Sequence, residues 1–202
     1  MTPEFNFSSF TLLHGLGVLA AYALGCFNTG YYLVRWKTGG DLRALGSGTA
    51  GAKNTGRVLG RWGFAASLLG DMVKGALAVF AAQLAGFPPL AVGLVVLAVI
   101  AGHNWPAQLG GKGGKGLAVS CGALLFLDPF VLGAMLALCG LLVGVTRRFT
   151  VSSMAAYAAS PLLAAGLGRS LPVDLLFAAA AGLVVIPHWR NLREETARRV
   201  PL

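Results

Sequence analysis

Apolar residues run almost unbroken through Phe10–Val34, Gly63–Leu84, Pro88–Trp105, Phe130–Thr146, Val151–Gly168 and Val173–Pro187, with a shorter run at Leu117–Leu127. Polar and charged residues collect in the connections between them. A membrane-spanning helix needs roughly 17–25 residues, fewer where packing or polar ends shorten it. Leu117–Leu127 is short for a crossing, yet the charge pattern requires it to cross. The pattern therefore predicts an all-α integral membrane protein: a compact bundle of about seven transmembrane helices, forming a single domain over residues 1–202.

Charge sets the expected orientation. Arg35, Lys37, Arg43, Lys53, Arg57 and Arg61 follow the first run, Lys112 and Lys115 the third, and Arg147 and Arg148 the fifth. Arg190, Arg193, Arg198 and Arg199 lie in the tail. With seven crossings, all but Lys74 and Arg169 of the 16 basic residues fall on one side. The positive-inside rule makes that side the cytoplasm, with the N-terminus outside and the C-terminus cytoplasmic. The opening MTPEFNFSSF lacks the basic region of a cleavable signal, so the first run reads as a retained span.

Composition agrees. Of the 202 residues 56% are hydrophobic and 11% charged, against about 25% charged in a soluble domain. The 29 glycines point to closely packed helices and backbone-lined loops. Cys26, Cys121 and Cys139 sit in apolar runs without C-x-x-C spacing and read as small core residues. His14, His103 and His188 are too scattered to suggest a metal site. The net charge of +9 does not imply nucleic-acid binding, because the cations flank membrane spans and suit anionic headgroups.

The candidate chemistry lies in three segments expected on the cytoplasmic face. The first, Asp41–Gly60, contains G-x-G-x-x-G at Gly46, Gly48 and Gly51, without the strand–turn–helix context of a dinucleotide fold. Its glycines allow backbone N–H groups to converge on an anion. Ser47, Thr49 and Asn54 add side-chain donors, and Arg43 offers a fork for phosphate. The competing reading is a solvated interhelical loop.

The second segment, GHNWPAQLGGKGGKG over Gly102–Gly116, lacks the spacing of a Walker A loop. Lys112 and Lys115 on a glycine-rich chain before an apolar helix still suit phosphate, with backbone N–H groups and the helix start facing the anion. The alternative is a linker with two topogenic lysines, which leaves His103 and Asn104 unexplained. In the third segment, HWRNLR, Pro187 is expected to end the last span, and His188 and Asn191 share one face of a helical tail. His188 suits phosphate donation or proton acceptance, and Asn191 suits holding a hydroxyl. Asp71 and Lys74, at i, i+3 in the second span, read best as a mutually neutralising pair that supports the site. A Ser–His–Asp triad from Ser47, His103 or His188, and Asp71 stays open, since triads need no chain order.

Together these segments resemble the PlsY family of bacterial membrane acyltransferases. The resemblance rests on YALGCFNTGYYLVR, LRALGSGTAGAKN, LLGDMVKG, GHNWPAQLGGKGGKG and HWRN, in that order over nearly the whole chain. Thr49 and Lys53 stand where the family's first motif has Asn and Thr. Trp105, Gln108 and Leu109 depart from its second motif, and REETARR from its third.

The resemblance implies acyl transfer from acyl phosphate to the sn-1 hydroxyl of glycerol 3-phosphate, giving lysophosphatidate and phosphate at the cytoplasmic face of a bacterial inner membrane. It implies no cofactor, no metal and no obligate protein partner. Arg43, Ser47 and Lys112 would hold phosphate, and Lys115 with the Gly113, Gly114 and Gly116 backbone would hold the leaving phosphate. His188 and Asn191 would serve the acceptor, with Gly46, Gly48, Thr49, Gly51, Asn54 and His103 completing the substrate-binding set. The competing readings are a relative with another acceptor and a small anion transporter; against transport, no clear inverted repeat is present.

Overall fold

The computed structural model describes residues 11–197, and within them all regular structure is helical. The MTPEFNFSSF start, the N-terminal orientation, and Arg198 and Arg199 of the tail lie outside the described residues. The chain forms two compact units, residues 11–127 and 128–197.

The first unit contains α1 (Leu12–Cys26), α2 (Thr29–Thr38), α3 (Ala52–Leu84), α4 (Pro89–Asn104) and α5 (Leu117–Leu127). Glycines set how closely these helices pack. A Cβ at Gly75 of α3 would meet the Val119 carbonyl of α5, and one at Gly122 of α5 would meet the Met72 carbonyl of α3. The same reciprocity joins α1 and α4: Gly25 faces the Val99 carbonyl and Gly102 the Tyr22 carbonyl. Small residues let backbones approach where the hydrophobic effect gives helices little reason to associate.

The first apolar run is not one helix, contrary to its pattern. It breaks at Phe27 and Asn28, both with extended backbone. Such a break strands the last carbonyls of α1 and the first N–H groups of α2. Buried side chains answer both. The Lys74 ammonium donates to the Gly25 and Phe27 carbonyls at 3.1 and 2.7 Å. The Cys26 carbonyl accepts from Asn28 Nδ2 at 3.2 Å and Gln108 Nε2 at 2.7 Å. Asp71 accepts from Thr29 N and Oγ1 at 3.4 and 3.2 Å. A cation thus sits at the end of α1 and an anion at the start of α2, as the helix dipoles favour. The expected pairing holds: Lys74 Nζ lies 2.9 Å from Asp71 Oδ1.

Helix α3 starts well before the expected Gly63 and bends at Gly60, whose φ of 72° and ψ of −165° only glycine adopts easily. The polar stretch 52–59 is therefore helical. The short α5 has the bounds that the apolar pattern predicts.

The second unit contains α6 (Pro129–Thr146), α7 (Phe149–Ala158), α8 (Ser160–Gly166), α9 (Leu171–Val185) and α10 (Trp189–Ala197). Asp128 caps α6 by accepting from Val131 N at 3.1 Å and pairs with Arg169 at 2.6 Å. Pro161 follows the break between α7 and α8. Helix α9 ends at Val185, and Pro187 lies in a 3₁₀ turn at Ile186–His188, after which the chain continues as α10. Glu195 holds that tail by accepting from Thr150 N at the start of α7, at 3.1 and 3.3 Å.

Among the described residues, five helical stretches are long and apolar enough to cross a membrane: Leu12–Thr38, Ala52–Leu84, Pro89–Leu109, Pro129–Thr146 and Leu171–Ala197. Large apolar side chains such as Leu12, Leu84, Leu162 and Val145 are exposed on their outer faces. A surface of that kind belongs in lipid.

Candidate active site

The first two sequence segments meet at one end of the first unit. Helix α2 stops at Gly39, in the left-handed region, and Asp41 caps a 3₁₀ turn at Leu42–Ala44 by accepting from Arg43 N at 2.8 Å. The buried Leu42 side chain anchors the turn.

Arg43 is held before any ligand arrives. Its Nε reaches both Asp41 oxygens at 3.0 and 3.2 Å, and its Nη2 reaches Oδ2 at 2.7 Å. Its Nη1 donates to the Leu109 carbonyl at 2.5 Å, and the guanidinium lies 5.1 Å from the Tyr31 ring centroid. Hydrogen bonding to Arg43 holds the Asp41 carboxyl below its usual pKa, and the same bonding raises that of Arg43. The expected phosphate fork is thus partly occupied by the protein and fixed in direction. Sequence reasoning passed over Asp41; its i, i+2 spacing to Arg43 was the available signal.

The loop beyond is folded around Asn54. Its Oδ1 accepts from Ser47 N at 2.8 Å, and its Nδ2 donates to the carbonyls of Leu42, Leu45 and Thr49 at 3.1, 2.9 and 2.9 Å. Only 1% of Asn54 is exposed. It shapes the loop from within, whereas the sequence suggested a donor turned toward ligand. Gly46 and Gly48 take positive φ of 54° and 72°, which the tight path requires. Ser47 and Thr49 are half-buried, with their hydroxyl oxygens 3.2 Å apart. Gly51 begins α3 as its N-cap.

The glycine–lysine segment folds back on the end of α4. Gly113 N donates to the Asn104 carbonyl and Gly114 N to the His103 carbonyl, each at 3.0 Å. These N–H groups were expected to face an anion; they satisfy the orphan carbonyls of α4 instead. Ala50 N donates to the Gly113 carbonyl at 3.1 Å, tying the two loops together. Lys112 is exposed and Lys115 half-buried. Gly116, with φ of 84°, leads into α5.

His103 is 3% exposed. Its Nδ1 lies 2.9 Å from Lys74 Nζ and 3.7 Å from Asp71 Oδ1, while its Nε2 is the nearest atom to a Cβ placed on Gly114. The ring therefore lies between the Asp71–Lys74 pair and the glycine loop.

In the second unit His188 is buried, with Nδ1 2.7 Å from the Val184 carbonyl. A carbonyl only accepts, so Nδ1 carries the proton and neutral His188 keeps its lone pair at Nε2. Asn191 is half-buried in α10, one turn on from His188.

Known proteins share this architecture. The family model described as glycerol-3-phosphate acyltransferase matches residues 15–198. Glycerol-3-phosphate acyltransferase 1 of Desulfitobacterium hafniense (strain Y51) is 40% identical over 177 residues, covering 88% of each chain. The glycerol-3-phosphate acyltransferase of Synechococcus sp. (strain JA-3-3Ab) is 40% identical over 187 residues, covering 92% of this chain and 91% of its own. The crystal structure of PlsY (YgiH), an integral membrane glycerol 3-phosphate acyltransferase, in its glycerol 3-phosphate form superimposes with a TM-score of 0.83 at 27% identity. That match covers 94% of this chain and 96% of the other. Its lysophosphatidic acid form gives a TM-score of 0.81 at 25% identity, covering 94% and 95%.

Proposed function

Because the chain belongs to the glycerol-3-phosphate acyltransferase family, we propose that it moves an acyl group from an acyl phosphate to the sn-1 hydroxyl of glycerol 3-phosphate, releasing lysophosphatidate and inorganic phosphate. The observation that carries this reading is the joining of the two loops through Ala50 N and the Gly113 carbonyl. It brings a hydroxyl-bearing loop, a fixed arginine and a lysine-bearing glycine segment to one end of one unit, a set suited to phosphate groups.

In the proposed step the hydroxyl oxygen attacks the acyl carbon, and the bond from that carbon to the phosphate oxygen breaks. The electron pair leaves with the phosphate, and the hydroxyl proton passes to a substrate phosphate. An acyl phosphate is already activated, so positioning and electrostatics are the work left to the protein. Arg43, Ser47 and Lys112 hold phosphate in this reading, and Lys115 stabilises the departing one. Thr49 lines the same loop; Asn54 and the glycines at 46, 48, 51, 113, 114 and 116 give the loops their shape. His188 and Asn191 serve the acceptor, by their one-face spacing and their family motif.

We place the enzyme in the bacterial inner membrane with this end toward the cytoplasm, where the cations of the first unit gather. Both units act as one domain in this reading, supported by a family match that runs through both. Seven crossings put the termini on opposite sides. A reporter fused to the C-terminus should read cytoplasmic and one at the N-terminus external; the same side for both would reject the odd number.

The acceptor is tested at Thr49, where the family's Asn is missing. If the acceptor is glycerol 3-phosphate, Thr49→Asn should preserve or raise kcat/KM for it, because the amide supplies both a donor and an acceptor. Competition between glycerol 3-phosphate and other small polyol phosphates measures this directly. Loss of the native reaction in Thr49→Asn, without gain on glycerol 3-phosphate, would point to another acceptor.

A further inference from the structure

We infer that the Asp71–Lys74 pair is a positioning device for the reaction: it locks His103 as the tautomer whose Nε2–H is presented to the glycine loop. The inference deepens the proposed function, in which that loop carries the leaving-phosphate lysine.

Four groups surround Lys74 Nζ. Its neighbours are the Gly25 carbonyl at 3.1 Å, the Phe27 carbonyl at 2.7 Å, Asp71 Oδ1 at 2.9 Å and His103 Nδ1 at 2.9 Å. The two carbonyls have no proton to give, and the carboxylate favours a cation beside it, so the nitrogen is an ammonium: its three protons are shared among the four neighbours, and it has no lone pair with which to accept. His103 Nδ1 must then accept with its lone pair, and the proton of the neutral ring sits on Nε2. That edge faces Gly114, whose missing Cβ leaves the space that the imidazole occupies.

The same residue holds the loop a second way, since the His103 carbonyl accepts from Gly114 N. A ring with the opposite tautomer would turn a lone pair toward the loop and oppose an anion bound there. His103 thus backs the anion site with a positive edge. Asp71 and Lys74 act through it, and at the same time satisfy the broken ends of α1 and α2.

The test uses full-length protein with 15N-labelled histidine in nanodiscs, His103 being assigned by difference with His14→Gln and His188→Gln. The wild type should show His103 protonated at Nε2 and bare at Nδ1, and inorganic phosphate should shift its Nε2 resonance. Asp71→Asn/Lys74→Met removes both buried charges together, avoiding one stranded ion. Among its folded molecules both tautomers should appear, and kcat should fall by roughly tenfold or more while KM for glycerol 3-phosphate holds. A purely structural pair would lower the folded fraction only, so unchanged kcat and tautomer in the folded double variant would overturn the inference. A wild-type ring protonated at Nδ1, or one indifferent to phosphate, would overturn it without any variant. The tautomer and phosphate readouts need no acyl donor, so they stand or fall separately from the assigned reaction.

Discussion

Lys115→Ala should leave the protein folded and lower its turnover by about 10²–10³, the cost of losing one preorganised electrostatic donor. The residue is half-buried on a segment whose path is fixed by other groups: Gly113 and Gly114 are bonded to α4, and Ala50 ties the neighbouring loop to Gly113. Removing the ammonium should leave those backbone ties in place. Because charge on the leaving phosphate grows only toward the transition state, kcat should fall more than the affinity for either substrate. Steady-state kinetics on detergent-purified protein with matched thermal stability reads this out. A normal kcat would return Lys115 to a purely topogenic role.

Asn54→Ala should be nearly as damaging by another route. Asn54 accepts from Ser47 N and donates to three carbonyls of its own loop while almost fully buried. Each neutral hydrogen bond contributes about 0.5–1.5 kcal/mol, and stranding buried partners costs more. The loop rather than the helices should loosen, so activity should fall by roughly a hundredfold, about 2.7 kcal/mol, with a smaller loss of thermal stability. Asn54→Asp probes the donor half of the clamp. It keeps an acceptor for Ser47 N, loses the donors and adds a negative charge near the proposed anion. It should be no better than alanine. Near-normal activity in Asn54→Asp would contradict the clamp.

The sequence was most legible where chemistry is local. The bounds of α5 and the pairing of Asp71 with Lys74 follow from hydropathy, charge and helical period. What hydropathy cannot report is a break inside an apolar run. Phe27 and Asn28 interrupt the first span because Lys74, Gln108 and Asp71 arrive from elsewhere in the chain to satisfy the exposed ends.

The same limit explains the loops. Asn54 and Arg43 were recognised as polar groups suited to anions, but their partners, Leu42, Leu45, Thr49, Asp41 and Leu109, are matters of loop path. Gly113 and Gly114 read as anion donors for a similar reason. Their N–H groups return to the end of α4, a need invisible until that end is placed.

The decisive measurement supplies purified protein with acyl phosphate and glycerol 3-phosphate and follows lysophosphatidate and inorganic phosphate together. Equal amounts of both products are expected, with the acyl group on the sn-1 oxygen and no requirement for added metal or coenzyme. Folded protein that forms no lysophosphatidate from acyl phosphate, yet forms it from an acyl thioester, would contradict the proposed donor and the leaving-phosphate role given to the glycine–lysine loop.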